Sequence, residues 1–317
     1  MDLREDFSLL GADHHTIIPM RAQHKFLFVV LFILSQPAFG QQVADKEILV
    51  EVSDPTYEMG IGPVVGIDKG HENFHTLKGR FAAFGSLITA DGYQAVSVSR
   101  FREKELAKLD ILVISNPIHA DNKNAWKRPI YSAFTEEEIA LIANWVQDGG
   151  ALLLIADHMP FGGAAIELGK AFGVEYEDCF VMKQKSTWPP EVYTKSKGTL
   201  LESHVTQDID SLVTFTGSAL KLPENAIPIA HFQSDQAVLL PDEAWKFDST
   251  TVVKPVDEFA FGGLLEFGEG RAAFFTEAAM FTAQISVDKR KMGFNNPYAT
   301  QNEDFILNVL RWLSKKE

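Results

Sequence analysis

Residues 111–158 hold the stretch that decides the fold. It reads Ile111-Leu-Val-Ile-Ser115, then Thr135-Glu-Glu-Glu138 opening a segment that carries Ile139, Ile142, Trp145 and Val146, then Gly149-Gly150 and Ala151-Leu-Leu-Leu-Ile-Ala156. Each of the two outer runs is continuously apolar, as expected of a strand covered on both faces, the usual state of a parallel sheet. The middle segment repeats its apolar residues at the helical period, with Thr135 and Glu138 as a capping box and the glycine pair as a stop. Strand, helix, strand in that order is a crossover unit joining parallel neighbours.

The pattern extends in both directions. Upstream, residues 63–68 form a short apolar strand. Phe74, Leu77, Phe81, Phe84 and Ile88 then follow a 3.6-residue period that predicts a helix ended by Asp91-Gly92. Residues 95–98 predict a further strand, and a short polar helix runs through Leu106. Downstream, residues 164–172 predict a helix closed by Gly173, and residues 271–276 resume the buried-strand pattern. A last helix presents Phe305, Ile306, Val309, Leu310 and Leu313 on one face, with Thr300 and Glu303 as its expected capping box. Between residues 175 and 262 the helical period fades into short β-like pieces, which read as an elaboration of a single α/β domain spanning 41–317.

Composition narrows the function. The chain has 317 residues, 46% of them hydrophobic, so it can bury a large core. With 29 Lys and Arg against 43 Asp and Glu, the net charge of -14 repels a phosphate backbone and argues against nucleic acid as a partner. Residues 26–34 are nine consecutive apolar residues, too few to span a bilayer, where about 20 are needed. They follow Arg21 and Lys25 and lead to Ala38 and Gly40, which is the layout of a signal peptide cleaved before Gln41. The acids Asp2, Glu5, Asp6 and Asp13 do not suit the start of such a signal, so Met20 is the expected start. The mature chain is thus expected to be periplasmic or secreted, with no membrane span.

In open α/β sheets, ligands bind beyond the carboxyl ends of the strands. The first strand ends at Asp68, followed by His71, Glu72, Asn73 and His75; the next buried strand leads to Asn116 and His119. Asp157 and His158 follow the third, and Glu277 follows the last, with Gln284 beyond it. Four of the six histidines after residue 40 therefore fall near these ends. His71, His75, Asp157, His158 and Glu277 are the candidate catalytic residues, and Asp68, Asn73, Asn116, His119 and Gln284 the candidate ligand contacts. The plainer reading is that Asp and Asn at these places cap helices and turns.

His71-Glu-Asn-Phe-His75 matches His-Glu-x-x-His, which on a helix puts both imidazoles on one face toward zinc. Lys78 and Phe81 stand where an extended motif of that type needs Gly and His. A divalent metal such as zinc, held by His71, His75 and His158 with acids from the other strand ends, is one expectation; a metal-free network is the other. Cys179 follows the acids Glu177 and Asp178 and reads as packed and inert, and no Gly-x-Ser-x-Gly elbow or glycine-rich phosphate loop follows a strand. Gly162-Gly163 suggests either an anion-accepting turn or simple flexibility. Trp188-Pro-Pro190 and Tyr193 suggest either a stacking surface for a sugar or packing of the elaboration.

Asp68-x-x-His71-x-Asn-Phe-His75-Thr, Asp91-Gly-Tyr93, Ala156-Asp-His-Met-Pro-Phe161, Thr276-Glu-Ala-Ala-Met-Phe-Thr282 and residues 308–313 together resemble an uncharacterised bacterial group of the class I glutamine amidotransferase-like superfamily, near trehalose-utilisation-like proteins. The resemblance implies a flavodoxin-like three-layer sandwich with a β-rich insertion. It does not carry over the glutaminase: that activity needs a Cys in the turn after a central strand, and Asp157-His158-Met159 occupies it. Two functions remain open. One is an exported hydrolase, with or without a metal, in which water held among imidazoles and acids attacks an ester, amide or glycosidic bond. The other is a non-catalytic module for carbohydrate or cell-wall fragments, contacting them through Asn73, Asn116, His119, Gln284 and Asn295.

Overall fold

The computed structural model describes residues 42–183 and 190–315. The expected signal peptide, its cleavage point before Gln41 and Trp188 lie outside them. In chain order the first half comprises β1 (Val43–Ala44), β2 (Val64–Asp68), α1 (Ala82–Ala90), β3 (Gln94–Val98), α2 (Glu103–Leu106), β4 (Ile111–Ser115), α3 (Glu136–Gln147), β5 (Ala151–Ile155) and α4 (Phe161–Lys170). The elaboration supplies β6 (Glu175–Lys183), β7 (Glu191–Thr194), β8 (Ser211–Thr214), β9 (Gly217–Lys221), β10 (Ile227–Pro228), β11 (Gln236–Leu240) and β12 (Val252–Lys254). The chain closes with β13 (Gly262–Phe267), β14 (Gly270–Phe275), β15 (Ala283–Ile285), β16 (Lys291–Gly293) and α5 (Asn302–Leu313).

A seven-stranded sheet in the order β10-β13-β14-β5-β4-β2-β3 forms the centre. The five strands from β14 to β3 are parallel to their neighbours, and β13 and β10 add an antiparallel edge. Alternation of side chains explains why the central strands are apolar throughout. Val65, Ile67, Ile111, Val113, Leu153, Ile155 and Phe275 face one core, shared with Phe84, Leu87 and Ile88 of α1 and Phe305, Ile306, Val309 and Leu310 of α5. Leu112, Ile114, Leu152, Leu154 and Phe274 face a second core with Ile142 and Val146 of α3 and Ala165 and Leu168 of α4. The strands are therefore sandwiched between helices. Among the described residues no helix is long and apolar enough to cross a membrane.

The helix boundaries depart from the sequence reading in instructive ways. The α3 capping box forms as expected, with Thr135 Oγ1 accepting the Glu138 N–H at 3.2 Å and Glu138 Oε2 accepting the Thr135 N–H at 3.1 Å. The corresponding box at Thr300 and Glu303 does not form. Instead Gln301 Oε1 accepts N–H groups from Asp210 and Ser211, and the Asn302 amide pairs with both backbone groups of Val213, so docking onto β8 sets the start of α5. Helix α1 begins at Ala82 rather than at Phe74, because Phe74 donates its N–H to Asn116 and the chain turns through Thr76–Gly79 instead. The His71-Glu-Asn-Phe-His75 string thus lies on turns, and the helical face a zinc motif requires does not exist.

The elaboration is antiparallel. A four-stranded sheet in the order β12-β11-β6-β9 packs through β6 against α4, and β7 pairs with β8. Gly162 and Gly163 make that approach possible, which replaces both sequence readings of the pair. A Cβ on Gly162 would stand 2.6 Å from the Glu177 carbonyl oxygen, and one on Gly163 2.8 Å from the Asp178 carboxyl. Tyr193 is core, its ring 5.4 Å from that of Phe261 and its hydroxyl on Gln236. Cys179 is fully buried, and burial together with Glu177 pushes its thiol well above the usual range, so it is inert as expected. Because a backbone carbonyl cannot swing aside, Gly162→Ala is expected to destabilise the protein by about 2 kcal/mol. Chemical denaturation of the two proteins measures it, and an unchanged midpoint would refute the close-packing account.

Candidate functional site

The strand ends meet as the topology requires, and Asn116 is the residue that ties them. It follows β4 in the left-handed region at φ 51°, which Asn tolerates better than most residues. From there its carbonyl accepts the Phe74 N–H at 2.9 Å and its side-chain Oδ1 accepts the Asp157 N–H at 2.9 Å. Ser218 of β9 stitches the elaboration to the same rim, donating its hydroxyl to the Ala156 carbonyl and its N–H to the Thr276 carbonyl, each at 2.8 Å. A narrow cleft with a cavity volume of about 80 Å³, partly open to solvent, lies over these ends.

His75, Asn116, Asp157, His158, Glu277 and Gln284 all line this cleft. The two carboxyl groups are its chemical centre. Glu277 is 1% exposed and Asp157 8%. The Glu277 oxygens accept the N–H groups of Ala279 at 2.7 Å and Met280 at 2.8 Å, while Asp157 Oδ1 accepts the His158 N–H at 2.7 Å. Burial and the neighbouring Asp157 charge push Glu277 well above the carboxylate range, and burial raises Asp157. The Asp157 charge acts on Glu277, so the two acids titrate as a pair.

The His75 imidazole is held neutral. Burial, with the nearby Arg80 and His158, lowers His75 to about 3. Its Nδ1 lies 3.0 Å from Ser115 Oγ, and its ring stacks on Phe81 at 5.1 Å. His158 Nδ1 lies 2.7 Å from the Met159 carbonyl, which can only accept, so that nitrogen carries a proton and donates it. The His158 ring is stacked on Phe180 at 4.7 Å and met edge-on by Trp245 at 4.7 Å.

Asp68, His71, Asn73 and His119 do not line the cleft, which corrects their assignment to the shared site. His71 is a structural pin instead. Its Nδ1 is 2.8 Å from Asp68 Oδ2, its Nε2 is 3.3 Å from Glu138 Oε1, and its ring stacks on Phe101 at 4.6 Å. Asn73 accepts the His71 N–H and reaches the Ser115 carbonyl. His119 accepts the Asp121 N–H at a surface turn. Asn295 lies outside the cleft lining, donating to Asp45 Oδ2 and to the Gln284 carbonyl.

The expected metal set of His71, His75 and His158 is therefore corrected as well. Both His71 nitrogens are taken by carboxylates, and no three His, Cys, Asp or Glu side chains among the described residues form a group that could hold a metal ion. A zinc site does not fit these residues.

Sequence reasoning missed the aromatic wall and its cation. Phe74, Trp126, Phe161, Phe215 and Trp245 line the cleft, as does Arg80, whose guanidinium carbon sits 3.8 Å from the Phe74 ring centroid. Trp126 and Trp245 stand in loops with no periodic signal. Arg80 alone had a signal in principle, as a cation two residues past Lys78 near a strand end.

No protein-family model matches the sequence, and no curated protein matches it. Among solved structures the mmIFT52 N-terminal domain is similar at 12% identity and a TM-score of 0.54, over 79% of this chain and 97% of that one. A ThuA-like protein from Bacteroides uniformis is similar at 11% identity and a TM-score of 0.41, over 84% of this chain and 94% of that one. A cytoplasmic protein from Salmonella typhimurium is similar at 15% identity and a TM-score of 0.43, over 79% of this chain and 98% of that one. The first likeness extends to the fold alone.

Two stability measurements follow from these contacts. Burial lowers the affinity of His71 for a proton, but Asp68 and Glu138 outweigh it and the pKa is raised above 6.5. The stabilisation is thus complete below 6.5 and is lost as pH rises through the folded value. His71→Ala should cost about 3 kcal/mol at pH 6 and less at pH 9; a pH-independent loss would contradict the charged pin. Asp157→Asn should do the opposite. Raised carboxyl pKa values make the acid pair a liability that grows as pH rises above the unfolded values, so this variant is expected to melt higher at pH 8 and to lose its advantage near pH 4.

Proposed function

We propose that this protein is a metal-independent hydrolase that works by general acid and base catalysis from Asp157 and Glu277. The observation that supports it is the pair of buried carboxyl groups, both raised in proton affinity, lining an aromatic cleft. In this reading Asp157, the more readily ionised member, takes a proton from an attacking water, and Glu277 gives its proton to the leaving group. His158 Nε2 holds the water or a substrate hydroxyl, and neutral His75 shapes the wall. Trp126 and Trp245 exclude water and present flat faces to the substrate.

The sequence resemblance adds a setting. The strand order of the parallel sheet, which counted along the chain is second, first, third, fourth, fifth, is that of flavodoxin-like domains. We infer a glutamine amidotransferase-like domain whose pocket has been rebuilt, Asp157 following the central strand where a nucleophilic Cys would stand. The signal read in residues 1–40 puts the site of action in the periplasm or outside the cell. A binding module for carbohydrate or cell-wall fragments is the second reading, favoured by the aromatic wall.

Chromogenic esters, amides and glycosides test the assignment. Turnover of one class should fall about 100-fold or more in Asp157→Asn and in Glu277→Gln. Its pH profile should have an acid limb above the ordinary Asp value of 3.8 and an alkaline limb above the Glu value of 4.5, because Asp157 must be ionised and Glu277 protonated. Limbs that persist unchanged in both Asp157→Asn and Glu277→Gln would contradict the assignment. Ligand binding without turnover would favour the binding module.

A further inference from the structure

Arg80 stands at the wall of the cleft without an anionic partner. Its guanidinium is half-buried, its Nε donates to the Gln42 carbonyl at 2.9 Å, and its face lies on Phe74. Among the described residues no carboxylate lies within ion-pairing distance of it. The chain has 43 acids to 29 Lys and Arg, yet none of the described acids reaches this half-buried arginine. Taking a guanidinium partly out of water is costly unless an anion or several acceptors meet it. With the face covered by Phe74 and the Nε side used, what remains is the edge bearing the two Nη groups, the edge that binds a carboxylate in a fork.

A second group in the same cleft also lacks a partner. Gln284 is 1% exposed, its Nε2 donates to Thr282 Oγ1 at 2.8 Å, and its Oε1 is buried without a hydrogen bond. A buried acceptor left unpaired costs about 1–3 kcal/mol. An O–H or N–H of a bound molecule would satisfy it.

We propose that the substrate is a carboxylate bearing hydroxyl or amide groups, its carboxylate forked by Arg80 and one of its O–H or N–H groups donated to Gln284 Oε1. This deepens the hydrolase reading and rests on it, naming the class of molecule brought to the acid pair. A single planar carboxylate suits the site better than a phosphate, whose greater charge would meet Asp157 and Glu277 in the same cleft. Arg80 is then the residue that sets specificity, and it takes no part in proton transfer.

Tryptophan fluorescence titration of the full chain provides the test, using probes matched except for the carboxylate: glucuronate with glucose, N-acetylalanine with its amide, and inorganic phosphate alone. The wild type should bind at least one acid about 10-fold more tightly than its neutral partner. In Arg80→Gln that gap should close while the neutral partner binds as before, and Arg80→Lys should restore part of it. In Gln284→Leu both members of the pair should weaken together. The proposal is overturned if no acid is preferred, if the preference survives Arg80→Gln, or if phosphate binds more tightly than every carboxylate. Affinity is read without turnover, so Asp157→Asn separates the two ideas: it should keep the acid preference even as it removes hydrolysis.

Discussion

The central sheet is apolar on both faces, and most of the molecule follows from that constraint. Ile111 to Ser115 and Ala151 to Ile155 are buried at every position, and the one polar side chain among them, Ser115, stands at the last residue of its strand, where it meets His75. Polar side chains can emerge only where the strands stop. All the central strands run parallel, so their carboxyl ends lie on one rim, and Asn116, Asp157 and Glu277 come together although they are distant in sequence. The left-handed turn at Asn116 then carries the chain across the rim and bonds one loop to the next.

What was legible in the sequence was the part governed by local periodicity. Strands β4 and β5, helix α3 with its capping box, and the buried face of α5 follow from runs and spacings that need no distant partner. The rim was legible too, because topology alone gathers strand ends. The errors share one cause. Phe74 and Leu77 continue the period of α1 into a segment that tertiary bonds hold as turns, and Thr300 loses its cap to the pairing of Asn302 with β8. In each case a hydrogen bond to a distant residue outweighed a local preference.

His71 shows the same limit for chemistry. An imidazole three residues after Asp68 looked like part of the site, yet it turns outward to the capping-box residue Glu138, and one carboxylate oxygen caps the helix while the other meets the ring. Side-chain direction is not readable from spacing on turns, where no fixed period applies. The aromatic residues behave in the reverse manner. Trp126 and Trp245 carry no pattern, and only the fold brings them to His158.

The elaboration supplies what the sheet lacks. A bare rim would leave Asp157 and Glu277 in water, with ordinary proton affinities. Strand β6 brings Phe180 against His158, the turn before β9 brings Phe215 and Thr216 to the cleft, and Ser218 locks that strand to β5 and β14. Water is displaced from around the carboxyl groups, and their proton affinities rise. That arrangement costs stability at neutral pH, because burial withholds solvation from the charged carboxylate form. The glycine pair that lets β6 press against α4 and the stitch at Ser218 offset it with close packing and hydrogen bonds. The burial of the site and the tightness of the insertion are therefore one design: loosening β6 would readmit water and bring both acids back toward ordinary values.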